Sequence, residues 1–150
     1  MTQIIDKSIF TKNIEFIGAA TQKTNLQIFN LPEIAFFGKS NVGKSSLLNC
    51  LCNRKKLARV SKTPGCTRQI NFFMIEQKFI LADLPGYGYS QVSKAMANSW
   101  EKLILHYLAN RQTLRKVILL IDARRALKAH DLQIIELLDH YGKTYDIVFT

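Results

Sequence analysis

Apolar residues fall along this chain in short unbroken runs that alternate with stretches of helical spacing. Ile34-Ala35-Phe36-Phe37 follows Leu31-Pro32 and precedes Gly38, which predicts a short strand buried on both faces. From Lys44 to about Asn53 the pattern predicts a helix with Leu47, Leu48 and Leu51 on one side. Ile70–Glu76 and Phe79–Leu84 are apolar runs separated by Gln77-Lys78, the pattern of a hairpin. Met96, Trp100, Leu103, Ile104, Tyr107 and Leu108 recur at helical spacing over 94–110. Val117–Ile121 reads as another buried strand. Asp131 then stands where a cap would open a helix carrying Ile134, Ile135, Leu138 and Tyr141 inward, with Gly142 placed to end it. Ile147-Val148-Phe149 begins one more buried strand.

Strands alternating with helices predict a three-layer α/β fold with a mostly parallel central sheet and one antiparallel hairpin strand. The 150 residues fit one domain, spanning 1–150. A buried strand at the very end is expected to leave that domain short of a closing strand and helix. The first thirty residues mix polar residues with short apolar pieces, and residues 54–69 read as a basic loop around Pro64-Gly65. No apolar run has the length of a signal core or a membrane span, so the expectation is a soluble, cytoplasmic protein without membrane contact. Cys50, Cys52 and Cys66 are an odd number without a Cys-x-x-Cys pair, which excludes a zinc knuckle and a secreted disulfide framework. Cys50 and Cys52 fall on different faces of their helix.

Candidate chemistry enters between the first strand and helix. Gly38-Lys39-Ser40-Asn41-Val42-Gly43-Lys44-Ser45 satisfies G-x-x-x-x-G-K-[ST] in full, with Ser46 next to it. Glycines let successive backbone N–H groups wrap a phosphate, and the helix N-terminus adds its positive dipole end. Lys44 would bridge terminal phosphates and Ser45 would offer its hydroxyl to Mg²⁺. About forty residues on, Asp83-Leu84-Pro85-Gly86 ends a predicted strand. Beside a phosphate loop, that Asp can hold a metal-bound water, and Gly86 presents a backbone N–H to a γ-phosphate. Between the two lies Thr63-Pro64-Gly65-Cys66-Thr67-Arg68-Gln69, where a Thr hydroxyl can complete a Mg²⁺ shell.

These residues resemble a translation-factor-class GTPase, and more narrowly the EngB (YsxC/YihA) family of bacterial ribosome-assembly GTPases. The resemblance rests on Glu33-Ile34-Ala35-Phe36 leading into GKSNVGKSSLLN, on SKTPGCTRQINFF and on LADLPGYGYS. Asp122-Ala123-Arg124 and the Asp131-Leu132 helix start fit it too. It implies GTP and GDP binding, Mg²⁺ dependence, slow hydrolysis, a part in assembling the large ribosomal subunit, and a link to cell division and septation. It implies that Thr67 is the switch ligand for Mg²⁺ and that Gly65, Cys66, Arg68 and Gln69 line the nucleotide. Thr150 stands where the [NT]-K-x-D guanine motif begins, so guanine specificity is inherited from the resemblance. Asn41 matches the position at which potassium-activated relatives hold K⁺.

Lys44, Thr67 and Gly86 are thus the candidate catalytic groups. Tyr87 takes the place at which Ras-like enzymes carry a water-orienting Gln, and His106, His130 and His140 all fall on helices as surface or packing residues. Slow turnover, raised by a ribosomal partner or by K⁺, is the expectation. The 21 Lys and Arg against 11 Asp and Glu give a net charge of +10, which favours a polyanionic partner such as ribosomal RNA or its precursor. The basic runs Arg54-Lys55-Lys56, Arg111 with Arg115-Lys116, and Arg124-Arg125 with Lys128 are the candidate contacts. The chain reads as a monomer. Two other readings stay open: a nucleotide-binding RNA-interaction module with negligible hydrolysis, and a P-loop ATPase.

Overall fold

Phe36 and Phe37, neighbours in sequence, belong to two different apolar clusters, as the two-residue period of a strand requires. That strand is the middle of the molecule. The computed structural model describes residues 10, 13–55, 57, 69–88 and 94–150, apart from the side chains of 94–100. Its strands are β1 (Ile14–Ala20), β2 (Glu33–Gly38), β3 (Ile70–Ile75), β4 (Phe79–Asp83), β5 (Leu114–Ile121) and β6 (Tyr145–Phe149). Its helices are α1 (Lys44–Leu51), α2 (Lys94–Asn110) and α3 (Ala129–His140).

The strands form one sheet in the order β1-β3-β4-β2-β5-β6. Strands β4, β2, β5 and β6 run parallel, and β3 runs against both its neighbours, β1 and β4. The mixed sheet with one reversed strand agrees with the expectation from the apolar runs. On one face Phe36, Leu48, Phe73, Leu81 and Leu120 pack with α1. On the other, Phe37, Phe72, Leu103, Tyr107, Leu108 and Leu138 pack with α2 and α3. The result is three layers, with helices on both sides of the parallel strands.

Four local details differ from the sequence reading. Strand β1 is additional. Phe16 on it is 54% exposed, and the register slips between Phe16 and Gly18, so the alternation that marks a strand is broken there. In α1, Leu51 faces outward while Cys52, four residues after Leu48, is fully buried. Asp131 does not open α3. Lys128 is the N-cap and Asp131 sits three residues later, where its Oδ2 accepts the Lys128 N–H at 2.9 Å. The last strand is not buried: Ile147 and Phe149 are 38% and 64% exposed, because β6 pairs only with β5 at the sheet edge.

Candidate functional site

Parallel neighbours place their C-terminal ends side by side, and ligands of such sheets bind there. Phe36 of β2 lies opposite Asp83 of β4, so the end of β4 meets the loop that leaves β2. Gly38 closes β2 where no side chain fits: a Cβ would come within 2.8 Å of the Leu120 carbonyl oxygen. The loop then turns through Asn41 at φ +61° and Gly43 at φ +96°. Gly43 N-caps α1 and its carbonyl accepts the Leu47 N–H at 2.9 Å.

This folding sends Lys44 back across the loop. Its ammonium pairs with Asp83 Oδ1, and the two residues are only 8% and 2% exposed. Residues 39 positions apart are thus joined at the head of the site. Ser45 follows on the first turn of α1, half-buried, and Ser46 is exposed. Lys39 and Ser40 are half-buried, and Val42 turns its side chain into the α1 cluster. Leu84 is fully buried in the opposite cluster and Pro85 is buried beside it, so these two can serve the site only through their backbone.

Gly86 lies directly on the phosphate loop. A Cβ there would meet the Ser40 backbone N and Cα at 2.9 Å and the Gly38 oxygen at 3.3 Å. The next residue, Tyr87, completes the contact, donating its N–H to the Gly38 oxygen at 3.2 Å and accepting the Ser40 N–H at 3.1 Å. Thr150 reaches the loop from the far side. Its hydroxyl donates to the Val42 carbonyl at 2.7 Å, and its backbone extends the ladder to Ile121 and Ala123. Gln69 stands just before β3, its side-chain amide donating to Asn71 Oδ1 at 2.7 Å, and Asn71 lies opposite Asp83. Gly65, Cys66, Thr67 and Arg68 lie outside the described residues.

Next to the loop, a cavity of about 280 Å³ is lined by Lys39, Ser40, Asn41, Asp122, Arg124 and Lys128, among others. Arg124 donates through Nε and Nη2 to the Asp122 carboxylate at 2.9 and 3.0 Å, and Arg125 lies 3.6 Å from it. Those Arg124 bonds, side chain first and backbone next, pull the Asp122 carboxyl down to about 2. Sequence reasoning missed the contacts of Asp131 and the closeness of the 122–128 loop, since neither has a local signature.

One basic run changes its meaning. Arg111 is 7% exposed and gives its Nε to Glu33 Oε1 at 2.6 Å, with the guanidinium 5.1 Å from the Phe29 ring centroid. A cation enclosed in this way cannot contact RNA. Arg115 remains exposed, while Lys116 pairs with Asp146 at 2.8 Å. Arg124, 82% exposed at its side chain, Arg125 and Lys128 remain on the surface, and Lys55 is exposed while Lys56 lies outside the described residues. His106 on α2 and His130 and His140 on α3 are on helices as expected, none of them at the phosphate loop. Among the described residues no group of three or more His, Cys, Asp or Glu could hold a metal ion, and no helix is long and apolar enough to cross a membrane.

Known proteins resemble this chain in sequence and fold. Residues 33–150 match the family model described as 50S ribosome-binding GTPase. The "Probable GTP-binding protein EngB" of Rickettsia bellii (strain OSU 85-389) is 50% identical over 145 residues, covering 97% of this chain and 68% of that protein. A crystal structure of a probable GTP-binding protein engB superposes with a TM-score of 0.61 at 25% identity, over 77% of this chain and 68% of the other. The structure of Era in complex with MgGDPNP and nucleotides 1506–1542 of 16S ribosomal RNA superposes with a TM-score of 0.62 at 26% identity, over 79% of this chain and 40% of Era. With the phosphate loop, the paired Lys44 and Asp83 and the mixed sheet behind them, the chain belongs to the EngB family of GTP-binding proteins, P-loop GTPases by fold.

Proposed function

We propose that this chain is a Mg²⁺-dependent GTP switch that acts in assembly of the large ribosomal subunit and supports normal cell division and septation in the cytoplasm. The observation that carries the nucleotide part is the meeting of Lys44 and Asp83 at the C-terminal ends of adjacent parallel strands. Lys44 is a cation held at the mouth of a loop whose backbone turns toward a helix N-terminus, the arrangement a polyphosphate requires. A bound triphosphate would draw the Lys44 ammonium from Asp83 and leave that carboxylate to a metal-bound water.

The donor set suits Mg²⁺, which takes hard oxygen ligands and keeps several of its waters. Ser45 would give its hydroxyl, Asp83 would act through water, and Thr67 would complete the shell. When bound, the ion neutralises phosphate charge. Asn41, exposed at the crest of the loop, is the residue proposed to hold K⁺. Gly86 would offer its N–H to the terminal phosphate, a reading supported by the Tyr87–Ser40 contact that holds it beside the loop.

Slow intrinsic hydrolysis follows from Tyr87. The residue is 4% exposed and its hydroxyl is bonded to Asp131, so it does not reach toward a water at the phosphates. The same observation supports the narrower reading of a nucleotide-binding RNA module with negligible hydrolysis. The ribosomal part is supported by the family description and by the exposed Arg115, Arg124, Arg125 and Lys128. The experiment is co-sedimentation with 50S subunits at rising salt, in GTP analogue and in GDP. The proposal expects GTP-dependent binding that falls steeply with salt, and hydrolysis that rises with the subunit and is faster in K⁺ than in Na⁺. Binding that ignores both the nucleotide and the salt would remove the ribosomal reading. No rise in hydrolysis would favour the module reading.

A further inference from the structure

Tyr87 joins three parts of this molecule. Its backbone is bonded to Gly38 and Ser40 of the phosphate loop, and its ring stands edge-on to Phe37 with centroids 5.2 Å apart. Its hydroxyl donates to Asp131 Oδ1 at 2.6 Å, while Asp131 Oδ2 holds the Lys128 N–H at 2.9 Å. Tyr87 and Asp131 are only 4% and 6% exposed. Burial first, and Asp131 second, push the phenol well above its ordinary range, so the hydroxyl stays a donor at any working pH.

Filling the space against Phe37 does not require that hydroxyl, since a Phe would do it. A buried phenol bonded to a buried carboxylate is a directional link whose loss leaves a charge under-satisfied. The link also has an address. Asp131, the third residue of α3, holds the N–H of Lys128, the last residue of the 122–128 segment, which carries the surface residues Arg124, Arg125 and Lys128. One peptide bond and one hydrogen bond therefore separate Gly86 from the start of α3. Beside the pair, a cavity of about 680 Å³ lined by Tyr87, Asp131, Ile104, Leu105, Ile134 and Leu137, among others, leaves the side chains room to shift.

We infer that Tyr87 couples the nucleotide state at Gly86 to the α3 N-terminus and the Arg124–Lys128 segment through its hydrogen bond to Asp131. The inference rests on the reading above, in which Gly86 meets the terminal phosphate. A displacement of Gly86 carries Tyr87 with it. Because Phe37 confines the ring, the hydroxyl then either leaves Asp131 or takes Asp131 and Lys128 along. In both cases the cap of α3 differs between the two nucleotide states. Tyr87 is a positioning residue: it signals from the phosphate site and does no chemistry there.

The test is amide hydrogen exchange at Lys128–Leu132, with GDP or a non-hydrolysable GTP analogue at saturation, in the unaltered protein and in Tyr87→Phe. The unaltered protein should exchange these amides at rates that differ at least about fivefold between the two nucleotides, and Tyr87→Phe should erase most of that difference. The ratio of GTP-analogue to GDP affinity should shift by about tenfold in the variant, within the usual range of coupling between sites. Asp131→Ala, which removes the acceptor for the Tyr87 hydroxyl, carries the same comparison between nucleotides if Tyr87→Phe fails to fold. The double variant should shift the ratio no further than either single one. A purely structural role would alter exchange equally with both nucleotides. Equal rates in the unaltered protein, or a difference that survives Tyr87→Phe, overturn the coupling. Failure of the unaltered protein to bind either nucleotide overturns the parent reading and the coupling with it.

Discussion

Glu33→Gln should destabilise the fold strongly although it changes one atom group. Glu33 is fully buried at the first position of β2. Its carboxylate accepts Arg111 Nε at 2.6 Å, the Tyr107 hydroxyl at 2.9 Å and the Thr113 hydroxyl. Arg111 is enclosed by Phe29, Phe72 and Tyr107, with its guanidinium carbon 5.1, 5.6 and 5.7 Å from their ring centroids. Its Nη2 is buried without a hydrogen-bond partner, so the cation relies on Glu33 for compensation. Removing one charge of a buried pair costs about 3–5 kcal/mol, because the other stays buried alone. Against a total stability of about 5–15 kcal/mol, that is a large share. At about 2–4 °C per kcal/mol for a domain of this size, the melting temperature should fall by roughly 6–20 °C. Replacing both partners, as Glu33→Gln with Arg111→Met, puts an apolar chain among three rings and should recover much of the loss. Urea unfolding of the two single variants and the double variant measures the coupling. A single variant within about 0.5 kcal/mol of the unaltered protein, or a double variant that loses the sum of both, would refute the reasoning.

Three further outcomes follow from the site and its surroundings. Gly86→Ala drives a methyl group into the Ser40 and Gly38 backbone; thermal unfolding should show a cost of about 1–3 kcal/mol, with weakened preference for GTP analogue over GDP in titration. The Asp122 carboxyl, lowered from 3.8 to about 2 by Arg124, contributes stability that is complete above about pH 4 and lost as pH falls through 2. A carboxyl chemical-shift titration should place its midpoint near the lower value in the native protein, and higher, though still below the ordinary one, in Arg124→Ala, which keeps the backbone N–H bond and the Arg125 charge. Among the two described thiols, iodoacetamide at pH 8 should label the exposed Cys50 and spare Cys52, which is buried and pushed up to about 11, mainly by desolvation. Mass spectrometry of the native and unfolded protein separates the two.

What could be read in advance was local or repetitive. The phosphate loop is contiguous, and its glycines, lysine and serine carry their chemistry in their order. The β3–β4 hairpin and α2 show clean periods, and their bounds follow from them. What could not be read depends on partners distant in the chain. Arg111 looks like any surface arginine until Glu33, 78 positions away, is placed beside it. Asp131 looks like a helix cap, and its second oxygen finds Tyr87, 44 positions away, only once α3 lies beside the segment that follows β4. Strand β1 escapes notice because edge pairing supplies its stability, while its Phe16 remains exposed and a bulge breaks its period. Leu51 and Cys52 exchange the roles their hydropathy suggests because α1 ends at Leu51 and Cys52, its C-cap, is buried in the same cluster as Leu48.

The central claim is that Gly38–Ser45, with Lys44 at its mouth, holds a guanine nucleotide. A fluorescence titration of labelled GDP into the protein, competed with unlabelled GTP and ATP and repeated on Lys44→Ala, tests it most directly. Binding should be saturable, displaced by GTP and not by ATP, and weakened about ten- to a hundredfold by the substitution, the worth of a charge-assisted bond to phosphate. Binding that survives Lys44→Ala undiminished, or that ATP displaces as well as GTP, would contradict it.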